Sequence, residues 1–458
     1  VAGHRPSTWA DVEVGAAADG TITSWVSRSW GSGGLGGSGS PPIPYLFQIP
    51  NRRHVHVSIP TNTASARAWR APNHPQASLV TFSAVDDLAA ALQMDPLDVM
   101  RKNLGILGTL SKTYGEELEV AARLMDWKKR WHPRGDKSRG PIKQGLGLAL
   151  HTWGGRGHRS SCDVTIYPDG AAEAKISTQD LGTGTRTVVA IVLAETLGLP
   201  LEAVQVKIGD SRYPASGGSG GSTTVGGVSS STRRAAINAL DALFAKVAPH
   251  LQATAAELDA VDGTVRVKAH PERKLTWKQA TAALGGAPLT ASGANPGPGD
   301  LTQSGVGGVQ MADVTVDVET GVVKLRKLVA VQDCGLIIDA KTTESQVYGG
   351  CIMGISSALS EEKLLDPVTG NTLNHDFDTY KMAGIADIGE IVVHLMTGPG
   401  YDERGVIGVG EPPVVSPGAA IANAVTNALG VRVPFLPLTP KHVLEALDAA
   451  RNTTRRTA

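Results

Sequence analysis

The sequence predicts an α+β chain with mixed and antiparallel sheets and packed helices. Short alternating strands fill residues 10–60, and helical patterns follow over 79–128. An order of hairpin, polar-glycine loop and helix then occurs twice, near 162–198 and near 314–359. The doubled order suggests an internal repeat, two α+β units facing each other across a shared ligand.

Along the chain, Val12, Val14 and Ala16 alternate, Asp19-Gly20 turns, and Ile22, Ser24 and Val26 return. Residues 31–42 read as a loop. The spacing of Val80, Ala84, Leu88, Ala91 and Leu92 predicts a helix over 79–93. Asp95 caps a second helix with Pro96 at its first position, and Leu118, Ala121, Ala122 and Met125 mark a third near 114–128. The basic stretch 128–143, broken by Pro133, Gly135 and Gly140, reads as a solvated linker, with a nucleic-acid patch as the competing reading.

Cys162, Val164 and Ile166 alternate into Pro168-Asp169-Gly170, and Ala172, Ala174 and Ile176 return. Gly182-Thr183-Gly184 leads into a helix ending near Gly198, and another helix is expected near 231–247. Residues 258–310 read as a smaller insertion with weak structure. Val314, Val316 and Val318 then alternate, Thr320-Gly321 turns, and Asp333-Cys334-Gly335 precedes a helix around 346–359. Thr439-Pro440 starts a last helix, and 451–458 read as a disordered tail. The expected divisions are 1–127, a linker at 128–143, 144–450 with its insertion, and the tail.

Composition excludes several classes. The chain has 458 residues, 43 Lys+Arg against 43 Asp+Glu, so nothing recommends nucleic acid or an anionic membrane as partner. No apolar run is long enough for a membrane span. Cys162, Cys334 and Cys351 are far apart with no CxxC, which argues against a zinc ribbon or an iron–sulfur cluster held by this chain alone. They read as buried structural thiols. Val1–Pro6 lack a basic-then-apolar signal pattern and the chain does not start with Met, so it is expected to be processed, truncated or one piece of something larger. The expected compartment is the cytoplasm, with partner-directed export to the periplasm as the alternative.

Chemistry concentrates at Gly408-Val409-Gly410-Glu411-Pro412-Pro413. The glycines permit sharp turning and close approach to a ligand. The prolines fix φ, remove two N–H donors and favour an extended Glu411. Ser416-Pro417 then reads as a helix cap with proline at the first helical position. A carboxylate aimed by a stiff backbone suits a general base; an ordinary loop glutamate is the competing reading. The loop Ser216–Thr224 offers hydroxyl and N–H donors to an oxyanion-rich group, or serves as a plain linker. It is not a P-loop, because no GxxxxGK[ST] occurs.

Five motifs occur in one order: Arg70-Ala71-Pro72-Asn73-His74-Pro75-Gln76, Asp180-Leu181-Gly182-Thr183-Gly184-Thr185, Gly218–Thr224, Gln346-Val347-Tyr348-Gly349-Gly350 and Gly408–Pro413. In that order they resemble the molybdenum-binding large subunit of the xanthine dehydrogenase/aldehyde oxidase family, from the first residues to about 450 and most weakly at 250–305. The resemblance implies two molybdopterin-binding domains, the first incomplete at its N-terminus. It implies a molybdopterin cofactor, with or without an attached cytosine nucleotide, whose molybdenum is held through the pterin dithiolene and not by protein ligands. A glutamate matching Glu411 would take the proton from a hydroxide on the metal. The oxygen, drawn from water, would attack an electrophilic carbon while hydride passes to a sulfido ligand.

By the same resemblance Arg70 stabilises developing negative charge, and Leu181, Gly182, Thr183, Gly220, Gly221, Ser222, Thr223, Gln346 and Gly410 hold the cofactor. Trp153, Pro72 and Trp69 line the substrate pocket. A plain ion pair for Arg70, a solvent-facing Gln346 and a core Trp153 are the competing readings. Implied partners are a chain supplying the missing N-terminal half, a subunit with [2Fe–2S] clusters, an FAD subunit and a small-molecule substrate. Trp69 and His74 depart from common family residues. The Arg70 loop lacks the cysteine of the carbon monoxide dehydrogenase branch, so that branch is rejected. The preferred reading is a hydroxylase of an aldehyde or N-heteroaromatic carbon, leaning to aldehydes. A non-catalytic cofactor-holding or assembly subunit is the runner-up, and a glycine-rich extracellular binding protein is third.

Overall fold

Alternation puts Trp25, Ser27 and Ser29 on the inner face of the first hairpin, made by β1 (Ser7–Ala16) and β2 (Ile22–Ser32), with Asp19 Oδ1 accepting the Thr21 N–H at its turn. This is a computed structural model; it describes residues 4–37, 39–297 and 305–457, with 453–457 as backbone only. β3 (Asn51–Ile59) joins β2 in parallel. Then come α1 (His74–Ala91), α2 (Pro96–Lys102), α3 (Ser111–Met125) and α4 (Trp127–Arg130). Asp95 caps α2 as expected, accepting the Leu97 N–H at 2.8 Å. α1 starts earlier than its apolar spacing indicated, because Pro75 suits the first turn.

The internal repeat is present as topology. β5 (Ser160–Ile166) and β6 (Ala172–Ile176) form a hairpin, α5 (Thr185–Leu197) crosses over, and β7 (Val204–Ile208) returns parallel to β6. β12 (Val306–Asp317) and β13 (Val323–Gln332) form the second hairpin, α8 (Ala340–Leu359) crosses over, and β14 (Glu390–Leu395) lies parallel to β13. Each unit gains one antiparallel strand beside its first: β11 (Leu289–Asn295) on β5 and β4 (Ile142–Trp153) on β12. The sheet orders are β11-β5-β6-β7 and β14-β13-β12-β4. α6 (Thr224–Val247) covers the first sheet and α9 (Pro417–Leu429) the second. Two apolar cores result. One joins α1–α3 to β4, β12, β13, α8 and α9; the other lies between β5, β6, α5 and α6.

Three expectations change. Residues 258–295 are not weakly structured: β8 (Leu258–Val261), β9 (Thr264–Val267) and β10 (His270–Thr276) form a sheet, Thr276 caps α7 (Trp277–Ala282) in a capping box, and β11 belongs to a main sheet. The rest of that segment lies partly outside the described residues. The basic stretch is not merely solvated. Arg130 pairs with Asp313 at 2.5 Å, and Arg134 reaches Asp86 and Asp87, because each of those carboxylates is carried by a packed element. The tail is helical: α10 (Pro440–Thr457) runs on because no Pro or Gly breaks it after Pro440. Residue 458 lies outside the described residues.

Candidate active site

Glu411 lies at the meeting of three chain segments. Its Oε1 accepts the Ala71 N–H at 3.1 Å, and its Oε2 accepts from Ser222 Oγ at 3.3 Å. Its own N–H donates to the same Ser222 Oγ at 2.8 Å. Ala71 and Ser222 both have left-handed backbones, φ 54° and 60°. That conformation costs a non-glycine residue about 1–2 kcal/mol, and here it delivers both donors to one carboxylate.

The turn holding Glu411 is built differently from the expectation. Glu411 has φ −112° and ψ −39° and is not extended; it starts a tight turn at Pro412–Val414, where Val415 N–H donates to Pro412 O at 3.0 Å. Contacts on both sides override the local preference before proline. Gly408 is needed there for close approach: a Cβ would stand 1.6 Å from Ser222 O. α8 packs on the turn through Gly350, whose absent Cβ leaves room for Pro413.

Ser416 does not cap α9. Its hydroxyl donates to Gln310 Oε1 at 2.8 Å and meets His151 Nδ1 at 2.8 Å. Gln310 Nε2 donates to Pro413 O at 2.9 Å, and His151 Nε2 meets Gln332 Oε1 at 2.9 Å. All four side chains are buried. Register explains the cluster: Gly308 faces His151 on one side and Gln332 on the other, and a Cβ there would stand 2.1 Å from His151 Nε2. Burial pushes the His151 pKa down to about 4, against the Gln332 hydrogen bond, which favours the protonated ring. This polar layer braces the Glu411 turn from below.

Arg70 is a clamp between segments. Its Nε donates to Gly410 O and its Nη2 to Gln346 O at 2.9 Å, with Gln346 Oε1 at 3.4 Å. Burial pulls its pKa down, while Cys351 and Glu411 nearby act the other way. No cysteine was expected near Arg70, but α8 brings Cys351 into electrostatic reach. Burial pushes that thiol up to about 12, so it stays protonated. Among the described residues no group of His, Cys, Asp or Glu forms a metal cluster.

The remaining expected residues fall into two limbs. Asp180 Oδ1 accepts the N–H groups of Gly182, Thr183 and Gly184 at 2.9–3.2 Å, so these donors are already engaged. Leu181 is exposed, and Gly184 abuts Thr342 at the start of α8. In the other limb Ser219 N–H donates to Gln179 Oε1 at 2.9 Å, and Thr223 Oγ1 donates to Gly220 O at 2.9 Å. Gly182, Gly218 and Gly220 have nothing within 4 Å of a would-be Cβ, so their backbone is open to a large ligand. These limbs, Gln346 and Gly410 fit a cofactor rich in hydrogen-bonding groups, approached by backbone more than by charge.

Trp153 Nε1 donates to Gly221 O at 2.9 Å, and its ring lies 4.5 Å from the His74 ring. Tyr45 OH holds His74 Nδ1 at 2.9 Å, and burial lowers the His74 pKa to about 4, leaving a neutral imidazole. His74, Trp153, Gly155, Arg156, Gly221 and Thr223 line a cavity of about 320 Å³. Pro72 is half-buried and Trp69 exposed; neither lines that cavity. Sequence reasoning missed Ala71 N–H, Asp180 and the polar layer. Asp180 could have been read from its place before Gly182-Thr183-Gly184.

Two family models match, both described as a molybdopterin cofactor-binding domain, over residues 1–104 and 120–389. The aldehyde oxidoreductase molybdenum-binding subunit PaoC of Escherichia coli (strain K12) is 31% identical over 97% of this chain and 61% of its own length. The xanthine dehydrogenase molybdenum-binding subunit of Escherichia coli O157:H7 is 27% identical over 91% of this chain and 58% of its own. In structure, quinoline 2-oxidoreductase from Pseudomonas putida 86 superposes with a TM-score of 0.85 at 20% identity, over 96% of this chain and 62% of that one. The Cu,Mo-CO dehydrogenase gives 0.76 at 21% identity, over 96% and 62%. The chain thus spans about three-fifths of the length of these relatives.

Proposed function

This chain belongs to the molybdopterin cofactor-binding family of aldehyde oxidoreductase and xanthine dehydrogenase molybdenum-binding subunits, and from that premise we propose that it carries the general base of a molybdenum hydroxylase. The reaction is oxidation of an aldehyde or N-heteroaromatic carbon with oxygen drawn from water. The bound cofactor supplies the two-electron redox chemistry. Glu411 supplies the proton acceptor. The observation that carries the reading is its carboxylate, held through both oxygens by Ala71 and by Ser222 of the 218–224 loop.

Each carboxylate oxygen has more than one acceptor site, so a proton can be taken up without releasing either donor. Fixing the base in advance removes the cost of orienting it during reaction. Arg70, clamped between Gly410 and Gln346, places positive charge beside it for developing negative charge on substrate. Leu181, Gly182, Thr183, Gly220, Gly221, Ser222, Thr223, Gln346 and Gly410 hold the cofactor. Trp153, with Pro72 and Trp69 further out, orients a flat substrate and limits water access.

Partner subunits carrying [2Fe–2S] clusters and FAD would take up the electrons. No helix among the described residues is long and apolar enough to cross a membrane; we place the assembly in the cytoplasm, with the periplasm as alternative. The experiment is Glu411→Gln in the assembled enzyme. Turnover falls by at least about 10²-fold with pterin and molybdenum content unchanged. Unchanged turnover rejects the base and favours a cofactor-holding subunit.

A further inference from the structure

The Arg70–Ala71 peptide group is gripped at both ends. Its N–H donates to Glu411 Oε1 at 3.1 Å, and its carbonyl, Arg70 O, accepts from Arg5 Nη2 at 2.7 Å. Arg5 Nη1 donates to the next carbonyl, Ala71 O, at 3.2 Å. One guanidinium thus closes over two successive carbonyls, a forked geometry that arginine offers and lysine does not. Ala71 needs such a brace. It is fully buried, has φ 54° and precedes Pro72, a backbone that local sterics oppose.

Arg5 is itself aimed by its chain neighbours. Arg67 N–H donates to His4 O at 3.1 Å, and Gln76 Nε2 donates to Pro6 O at 2.9 Å. The backbone on either side of Arg5 is therefore sewn to the two ends of the Arg70 loop. The half-buried Arg5 side chain lies within electrostatic reach of two carboxylates, Glu361 and Glu411. Burial pulls its pKa down and both carboxylates act the other way; an arginine so placed stays charged. The order in space is cation, carbonyl, amide N–H, carboxylate. A cation on the carbonyl polarises the peptide group and strengthens its N–H as a donor, most of all where water is excluded. The Arg70 side chain does not duplicate this, because its donors go to Gly410 O and Gln346 O.

We propose that Arg5 is a positioning residue for Glu411, acting through the Arg70–Ala71 peptide group. The inference rests on the reading of Glu411 as the base. An Arg5 that only tied residues 4–6 to the Arg70 loop would leave turnover per bound cofactor intact.

The test uses the purified assembly. Molybdenum and pterin are measured for each variant, and turnover of benzaldehyde or quinoline, whichever the wild type oxidises, is given per bound molybdenum. Arg5→Met keeps an apolar stem and removes the charge. Its kcat is expected to fall at least about tenfold while KM changes less than about twofold. Arg5→Lys keeps the charge and one donor, and recovers at least about threefold over Arg5→Met. In the Glu411→Gln background Arg5→Met lowers the residual rate by less than about twofold, because residues acting as one unit are non-additive. If the methionine variant fails to assemble, Arg5→Lys carries the same cycle: about threefold down alone, unchanged beside Glu411→Gln. Amide exchange followed by mass spectrometry is at least about tenfold faster at Ala71 in Arg5→Met, with or without cofactor loaded. Wild-type kcat in Arg5→Met, a lysine variant no better than methionine, a full further fall beside Glu411→Gln, or unchanged exchange at Ala71 each overturns the proposal while the base stands. Wild-type turnover in Glu411→Gln overturns the base, and this inference with it.

Discussion

Ser222 holds Glu411 twice, accepting its backbone N–H at 2.8 Å and donating to its Oε2 at 3.3 Å. One hydroxyl thus fixes both the turn and the side chain of the proposed base.

Ser222→Ala therefore removes both bonds while keeping the left-handed strain. A hydrogen bond to a charged group is worth about 1.5–3 kcal/mol, so kcat is expected to fall roughly 10- to 100-fold. Ser222→Gly removes the hydroxyl and relieves the strain. Steady-state kinetics should show the same defect in both variants. A Gly variant with wild-type kcat would mean that the hydroxyl is dispensable.

Arg70→Lys tests the clamp. A lysine has one ammonium on a flexible stem and does not reproduce the forked reach to Gly410 O and Gln346 O. Turnover is expected to drop at least about tenfold and cofactor retention to weaken. Metal content per assembly and kcat measured together check this; wild-type values of both count against the clamp.

Gly408→Ala would drive a Cβ into Ser222 O, 1.6 Å away by construction. Backbone on both sides prevents simple relief, so the 408–411 and 220–223 loops must separate. The expected result is loss of most bound pterin with far-UV circular dichroism retained, since neither loop carries helix or strand. Pterin fluorescence after release from the purified assembly measures it.

His151 gives a pH dependence. Its folded pKa is about 4 against 6.5 for the free side chain, so the unfolded state binds the extra proton first on acidification. The stability this contributes, about 3 kcal/mol from that shift, is fully present above pH 6.5 and is lost as pH falls towards 4. His151→Gln should flatten the stability slope over that window in urea unfolding. An unchanged slope would assign the acid sensitivity to other groups, His74 among them.

Much of the architecture was legible because it is local. Alternation around Pro168-Asp169-Gly170 and Thr320-Gly321 marked both hairpins, and the repeated order of elements foreshadowed two sheets of one topology. Errors fell where long-range contacts overrule local preference. Glu411 left the extended region that Pro412 favours, and Ser416 gave up capping for Gln310 and His151.

The sequence by itself determined the family, the hairpins and helices, and it singled out Glu411 as the candidate carboxylate, because turn residues, apolar periods and ordered motifs are encoded over a few positions at a time. Only the tertiary structure decided what that carboxylate touches. Ala71, Ser222 and Glu411 are separated by some 150 to 340 positions, and Gln310, Gln332 and His151 come from three strands. Such contacts depend on sheet register and loop packing, which no local pattern of residues specifies.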